Sequence, residues 1–248
     1  MVSGFGIHIR VDQLRYPPAA PVLADLDLPL AAGQWTCLLG RSGCGKTSIL
    51  RHLAGLLDNA EWQGALRTHP THRLAGNIAY MAQQDLLLPW LSVLDNVCLT
   101  QRLQGQPLHQ AIREQAMHLL EQVGLADKAT SCPHALSGGM RQRVALARTL
   151  MQDRPVVLMD EPFSALDAVT RHKLQGLAFA LLQGKTVLLV THDPQEAVRL
   201  GHHIFIMEGR PATARPLLDL TGTPPREINA ASAQAQRHIL ERLGGDHA

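Results

Sequence analysis

The sequence predicts an α/β fold with a largely parallel sheet, an antiparallel flank and a mostly helical insert. Continuous apolar runs occupy residues 35–39, 156–159 and 186–190; the first ends in a glycine loop and the other two end in polar residues. Such runs are typical of strands that are buried on both faces of a parallel sheet. Between them, residues 85–153 look mostly helical from the spacing of their apolar side chains, after an apolar cluster at 86–91 that a proline interrupts. The insert therefore interrupts an α/β chain that resumes at Val156.

The first residues predict the antiparallel flank. Residues 5–11 alternate apolar and polar side chains until Tyr16-Pro17-Pro18, and residues 26–30 alternate again before a turn at Gly33. The polar stretch 61–73 is interpreted as a loop with short strands, and residues 77–82 as a strand. Strands of this kind directly before a strand, glycine loop and helix favour an antiparallel flank on an α/β core.

The remaining elements are mostly helices. Ser92 is a helix cap, residues 109–123 have helical spacing that ends at Gly124, and a further helix covers 140–150. Helices near 169–183 and from Pro194, a strand at 204–207 and a last helix through Ile239 and Leu243 complete the chain. We predict one domain, 1–248, with a core of 1–84 and 154–210, a helical subdomain of 85–153 and a tail of 211–248.

Composition limits the function. The 248 residues carry a net charge of +2 and no basic run, which argues against a nucleic-acid partner. The four cysteines form no C-x-x-C pair, a usage that suits a reducing cytosol. No signal peptide and no run of 18 apolar residues is found, so we expect any role at a membrane to depend on a partner.

The loop Gly40–Thr47 has the pattern G-x-x-x-x-G-K-T between an apolar run and a helical pattern. In that position the pattern forms a phosphate-binding loop, because its glycines let successive N–H groups point at an anion beside a helix N-terminus. Lys46 is then placed to reach the β- and γ-phosphates, and the Thr47 hydroxyl to ligate Mg²⁺. The chain is therefore expected to bind a nucleoside triphosphate.

Polar residues at the ends of other strands complete the predicted chemistry. Asp160 and Glu161 follow a buried strand, where the aspartate would hold Mg²⁺ and the glutamate would polarise a water for attack on the γ-phosphate. His192 follows the next buried strand and would contact the γ-phosphate or orient the water. Gln83 also ends a strand, and its amide is expected near Mg²⁺ and the water.

Two further features have both a structural and a functional interpretation. Tyr16 is interpreted as an aromatic that stacks on adenine, and the alternative is a turn residue packed on proline. Leu136-Ser137-Gly138-Gly139 begins a helix and offers a second anion site. Residue chemistry alone leaves that site open against an ordinary serine-capped helix, since such caps are common.

In this order the motifs resemble the ATP-binding subunit of an ABC transporter, and the resemblance covers nearly the whole chain. Residues 40–47 and 156–161 are similar to Walker A and Walker B, and 136–143 to the LSGGQ signature. The resemblance implies the ABC ATPase variant of the RecA-like P-loop NTPase fold, with ATP and Mg²⁺ as cofactors. It also assigns the Q-loop glutamine to Gln83, the D-loop to 164–167 and the switch histidine to His192.

The resemblance implies four sets of site residues. The catalytic set is Glu161, His192, Gln83 and Lys46. The Mg²⁺ set is Thr47, Gln83 and Asp160. The ATP-binding set is Tyr16, Gly40, Arg41, Ser42, Gly43, Cys44, Gly45, Lys46, Thr47 and Ser48. The partner's ATP would contact Ser137, Gly138, Gly139 and Met140, with Asp167 in the D-loop. Met140 replaces the usual signature glutamine and Arg41 a frequent proline, but no catalytic group is lost.

The resemblance also implies the partners. A head-to-tail homodimer would enclose two ATP molecules, each between Lys46 of one copy and Ser137 of the other. Transmembrane permease subunits, and through them a solute-binding protein, would hold the chain at the cytoplasmic face of the inner membrane. Residues 83–91 resemble the ATPases of the nitrate, sulfonate and taurine importer group. Within that group, residues 80–97 resemble the subunits assigned to hydroxymethylpyrimidine. A soluble ABC ATPase and a small-molecule kinase are the rival classes.

Overall fold

The computed structural model describes residues 3–105 and 107–245. The chain divides into two compact units, the first within Met1–Ile78, Arg154–Glu161 and Gln183–Ala248, the second Ala79–Asp153 and Pro162–Leu182. The segment Pro162–Leu182, which the sequence placed with the core, groups with the second unit. There Gln142 donates a hydrogen bond to the Pro162 carbonyl oxygen, which ties this segment to the helical residues.

The first unit contains the antiparallel flank. Strands β1 (Gly6–Arg15), β2 (Pro21–Leu30) and β4 (Glu61–His69) form a three-stranded sheet in the order β2-β1-β4. The alternation predicted for β1 is confirmed, since Ile7, Ile9 and Val11 are buried. The prediction for residues 61–73 was wrong, because nine of them form one continuous strand. Their side chains are mostly exposed or half-buried, which hid the strand in the sequence.

The second sheet of this unit is mostly parallel. Strands β3 (Trp35–Gly40), β6 (Val156–Asp160), β7 (Thr186–Val190) and β8 (His203–Glu208) lie in the order β6-β7-β3-β8. Every residue of β3, β6 and β7 is buried, as their apolar runs predict. Strand β9 (Thr213–Asp219) adds an antiparallel edge within the segment that the sequence assigned to the tail. Strand β5 (Ile78–Met81) lies where the chain passes between units.

The helices described in the first unit are α1 (Lys46–Leu53), α7 (Pro194–Leu200) and α8 (Ala230–Gly245). One residue between β9 and α8 ties the tail to α7. Arg226 donates its five guanidinium N–H groups to five carbonyl oxygens, those of Val198, Gly201, Leu220, Thr221 and Gly222. Arginine has five such donors, so all of them are satisfied here. The tail is therefore an integral part of the first unit.

The second unit is helical. It contains α2 (Val93–Val97), α3 (Leu99–Leu103), α4 (Gln110–Gln122), α5 (Gly138–Leu150) and α6 (Ala168–Leu181). Helices α2, α4 and α5 pack against one another over a core that includes Val97, Leu120 and Val144. Ser92 caps α2 by accepting a hydrogen bond from the Asp95 N–H group, as predicted. In the described part of the chain, no helix has the length and apolar content needed to cross a membrane.

Candidate active site

The phosphate-loop candidate joins β3 to α1 in the first unit. Gly40, Gly43 and Gly45 have φ values of 155°, 80° and 99°, which other residues rarely adopt. A Cβ on Gly45 would lie 2.6 Å from the Leu23 side chain, and one on Gly40 would lie 2.7 Å from that of Met207. Gly45 precedes α1, and no side chain in the described residues caps this helix. The first N–H groups of α1 thus face the loop without a side-chain acceptor.

Lys46 is buried at the start of α1, with 7% of its surface exposed. Its Nζ donates hydrogen bonds to the carbonyl oxygens of Gly40, at 2.7 Å, and Arg41, at 2.8 Å. A buried ammonium needs such acceptors, because burial without them costs several kcal/mol, on the order of 5. The backbone of the loop therefore holds the Lys46 ammonium group within the loop, where it could bind a phosphate.

Thr47 and Asp160 form the candidate metal site. The Thr47 hydroxyl donates to Oδ2 of Asp160 at 2.8 Å, and Asp160 is buried at the end of β6. Burial raises the pKa of the Asp160 carboxyl, and the hydrogen bond from Thr47 opposes that rise. A hydroxyl and a carboxylate are the oxygen ligands that Mg²⁺ prefers, so the residues present fit this ion. Among the described residues, no group of three or more His, Cys, Asp or Glu side chains forms a metal site of its own.

Glu161 and His192 lie together at the ends of β6 and β7. Oε2 of Glu161 is 3.1 Å from Nδ1 of His192, and the Glu161 N–H group donates to the Val190 carbonyl oxygen at 2.9 Å. Glu161 has φ = 48°, a conformation that costs a non-glycine residue about 1–3 kcal/mol. The Glu161 side chain is 16% exposed and that of His192 63%. The strained backbone thus holds a largely enclosed carboxylate against an accessible imidazole.

Tyr16 contacts α1, and a separate group of residues lines a cavity at the loop. The hydroxyl of Tyr16 shares a hydrogen bond with that of Ser48 at 2.8 Å, which fixes the aromatic ring to α1. A cavity of about 630 Å³ is lined by Arg41–Cys44 together with residues 20–22, 207 and 209–212. This volume lies within the range of small-molecule sites, about 300–1,000 Å³. The first unit alone therefore offers space for a nucleotide-sized ligand beside the loop.

The second unit carries the predicted signature residues. Ser137 caps α5 in an extended conformation, and its hydroxyl accepts a hydrogen bond from the Met140 N–H group at 3.3 Å. Gly138 is exposed, and a Cβ there would have only the Arg141 guanidinium nearby, at 3.9 Å. A Cβ on Gly139 would lie 3.1 Å from the Ala165 carbonyl oxygen. The exposed turn thus presents its hydroxyl and the start of α5 to solvent.

The other two predicted residues also belong to the second unit. Asp167 caps α6 by accepting from the Thr170 N–H group at 3.0 Å, and this hydrogen bond lowers the pKa of Asp167. Arg171 donates to the carbonyl oxygens of Phe163 and Leu166, which fixes the loop that precedes the cap. Gln83 is exposed just after β5. The structure therefore brings together Lys46, Thr47, Ser48, Tyr16, Asp160, Glu161 and His192 in one unit, and Gln83, Ser137 and Asp167 lie in the other.

The sequence did not reveal the residues that pack against the glycines of the phosphate loop. Leu23 in β2 and Met207 in β8 occupy the space next to Gly45 and Gly40 and thereby enforce glycine there. Both are ordinary apolar strand residues, so no local pattern distinguishes them from the rest of the core. The alternation of β2, in which Leu26 and Leu28 share the buried face, was the only available signal.

Comparison with known proteins identifies the family. Residues 23–164 match the ABC transporter family. The chain belongs to the ABC transporter family. An uncharacterised ABC transporter ATP-binding protein of Haemophilus influenzae is 46% identical over 89% of this chain and 92% of its own length. The aliphatic sulfonates import ATP-binding protein of Delftia acidovorans is 44% identical over 90% of this chain and 88% of its own length. A protein of the same description in Xanthomonas axonopodis is 40% identical over 99% of both chains.

Solved ABC cassettes share the fold. A dimeric structure of MJ0796, a bacterial ABC transporter cassette, has a TM-score of 0.70 at 30% identity, over 81% of this chain and 93% of that one. A dimeric post-hydrolysis state of the same cassette, bound to ADP and Pi, has a TM-score of 0.73 at 28% identity, over 90% and 100%. The predicted α/β P-loop fold class and the resemblance to an ABC ATP-binding subunit are thus confirmed.

Proposed function

We propose that this chain is the ATP-hydrolysing subunit of an ABC importer for a small organic solute. The observation that carries the proposal is the cluster of Lys46, Thr47, Asp160, Glu161 and His192 at the edge of one parallel sheet. Membership of the ABC transporter family and the import names of two relatives support it. A small-molecule kinase would have no use for the second glycine-rich helix start at Ser137.

ATP would bind with its phosphates in the loop Gly40–Ser48. Lys46 would exchange its two carbonyl acceptors for phosphate oxygens, and the N–H groups at the start of α1 would complete the anion site. Tyr16 would stack on the adenine while Ser48 fixes its ring. Thr47 and Asp160 would hold Mg²⁺, and the ion would neutralise the charge of the β- and γ-phosphates when bound.

Glu161 is the proposed base that polarises the attacking water. Its side chain is largely enclosed and lies against His192, so the imidazole orients the carboxylate and remains accessible to the γ-phosphate. The φ of 48° at Glu161 departs from the extended conformation of β6 at the point where that strand ends. Strain of this kind at a strand end is consistent with selection for geometry over stability.

The second half-site is proposed for a second copy of the chain. Ser137, Gly138, Gly139 and Met140 begin α5 on an exposed turn, with the N–H groups of the helix start next to them. In a head-to-tail dimer this turn would contact the ATP held by the partner copy, with Asp167 in the neighbouring loop. Dimeric structures of a related cassette, one of them bound to ADP and Pi, support a dimer.

The transport partners are proposed from the relatives. Permease subunits would hold the chain at the cytoplasmic face of the inner membrane, where exposed Leu86 and Trp90 offer an apolar contact. An aliphatic sulfonate is the proposed solute class, since two relatives carry that name, and hydroxymethylpyrimidine is the alternative that residues 80–97 suggest. The assembled complex should raise its ATPase rate with one of these solutes, and recovery of the tagged chain only with ribosomes or DNA would contradict import.

The substitution Glu161→Gln tests the proposed chemistry. It removes the base and keeps the shape of the side chain, so turnover should fall by about 100-fold or more. ATP binding should persist, because Lys46 and Thr47 are unchanged. The measurements are phosphate release by the purified chain and the affinity of a fluorescent ATP analogue.

Glu121→Gln is the matched control, because this exposed glutamate lies on α4 and takes no part in the proposed site. It should leave both quantities unchanged. Turnover of the Glu161→Gln variant at the parental rate would exclude Glu161 as the base.

A further inference from the structure

The segment that follows Gln83, residues 85–91, is held by two arginines of α5. Arg148 donates from Nη2 to the carbonyl oxygen of Asp85 at 2.5 Å and from Nη1 to that of Leu86 at 2.8 Å. Arg141 donates from Nε to Oδ2 of Asp85 at 2.9 Å. The two arginines are seven residues apart, which places them two turns apart on one face of the helix. That face of α5 thus binds the start of the segment through hydrogen bonds.

The conformation of the segment depends on these contacts. Leu86 has φ = 47°, which is unfavourable for a branched non-glycine residue, and its side chain is exposed. Oδ1 of Asp85 accepts the Leu87 N–H group at 3.2 Å, which supports the turn from within. The two arginines and Asp85 therefore support this backbone through their hydrogen bonds.

Asn96 of α2 holds the other end of the segment. It is completely buried, and its Oδ1 accepts the Leu88 N–H group at 2.8 Å. Its Nδ2 donates to the carbonyl oxygens of Leu88, Leu91 and Ser92 at 3.0–3.3 Å. Because α2 packs on α5, both ends of segment 85–91 are fastened to the same packed helices.

Arg141 also contacts the turn before the signature. Its Nη1 donates to the Leu136 carbonyl oxygen at 2.9 Å, one residue before Ser137. The rigid fork of a guanidinium fixes the distance between two acceptors that its different nitrogens bind at once, which a lysine ammonium on a flexible stem does not do. One side chain therefore connects Asp85, two residues after Gln83, to the residue that precedes the Ser137 cap.

We propose that Arg141 and Asp85 form a positioning pair that sets Ser137 and Gly138 according to the position of segment 85–91. A displacement of the exposed Leu86 and Trp90 would reach the Leu136 carbonyl through the carboxylate of Asp85 and the guanidinium of Arg141. The inference rests on the proposed function, because it assumes that Ser137 and Gly138 contact the ATP of a partner copy. Neither member of the pair touches ATP, so both act through the turn.

The test uses the full chain with Glu161→Gln, which should form a stable dimer with ATP. Into it are placed Arg141→Lys, Asp85→Asn and both together. Arg141→Lys keeps the charge but loses the fork, so the dimer should weaken at least about fivefold. The affinity of the monomer for a fluorescent ATP analogue should not change, because Lys46 and Thr47 lie in the other unit. The effects of the two substitutions should be non-additive, as expected of residues in contact.

Arg102→Lys with Asp95→Asn is the matched control. This pair is also an arginine–aspartate contact in the helical unit, at 2.6 Å, and it joins α2 to α3. The control should dimerise like its parent. Equal weakening in the control, or a dimer of unchanged strength in Arg141→Lys and Asp85→Asn, would overturn the positioning role.

If the Glu161→Gln parent itself fails to dimerise with ATP, the proposed half-site fails instead, and the two failures are thereby distinguished. Thermal unfolding of each variant identifies a loss that comes from folding alone, and such a loss in both single variants counts against the pair.

Discussion

The two glycine-rich helix starts of this chain have opposite structural needs. At the phosphate loop, glycines with positive φ are pressed against Leu23 and Met207, so the fold itself demands them. At the signature turn, Gly138 lacks a positive φ, is exposed and would accept a Cβ without a close contact. Among residues 3–105 and 107–245, no side chain caps the first helix start, whereas Ser137 caps the second.

This difference distinguishes glycines that the fold of the chain itself requires from a glycine whose proposed role depends on a second copy. A glycine that its own fold does not require must be explained by something outside the fold or by chance. At Gly138 the proposed partner is the ATP of a second copy, to which a side chain would be an obstacle. The glycines at 40 and 45 of the phosphate loop shape the loop, and in the proposed function they would also leave room for the phosphates.

The largest effect is expected from Gly45→Ala. The substitution forces alanine into φ = 99° and places a methyl group 2.6 Å from Leu23, so the free energy of unfolding should fall by about 1–3 kcal/mol. The affinity for ATP should fall as well, because the loop is displaced. Urea unfolding and titration with a fluorescent ATP analogue measure the two effects. A variant that kept full stability would contradict the view that the fold demands glycine here.

A smaller effect of opposite sign is expected from Gly138→Ala. Alanine is the better helix residue and meets no close atom, so the free energy of unfolding should stay equal or rise by up to about 1 kcal/mol. ATP-dependent dimerisation in the Glu161→Gln background should nevertheless be lost, while the monomer binds the analogue as before. Urea unfolding and size-exclusion chromatography test this. If Gly138→Ala dimerised normally, the contrast between the two turns would have no functional meaning.

Much of the proposed site could be predicted because its residues form short motifs at strand ends. Gly40–Thr47, Asp160, Glu161 and His192 follow apolar runs, and the parallel sheet brings the carboxyl ends of these runs to one edge. The contact between Glu161 and His192 follows from that rule. The φ of 48° at Glu161 could not be predicted, because nothing in the local sequence requires it.

The remaining features depend on contacts between distant residues. Strand β9 was missed because Pro216 and the exposed side chains around it conceal an edge strand that only β8 defines. Arg141 lies 56 residues from Asp85, so the bridge between them has no sequence pattern. The tie at Arg226 was missed for the same reason, since all five of its acceptors are main-chain oxygens, which any residue type supplies.

The five hydrogen bonds of Arg226 bear on how a gene for this chain tolerates truncation. A stop codon before position 226 would leave the carbonyl groups of Val198 and Gly201, at the end of α7, without their donor, and would also remove α8. Since His192 precedes α7 by two residues, the damage would reach the edge of the proposed site although every recognisable motif remained intact. A shortened reading frame could thus encode all the motifs of an ABC ATPase and still produce an inactive protein.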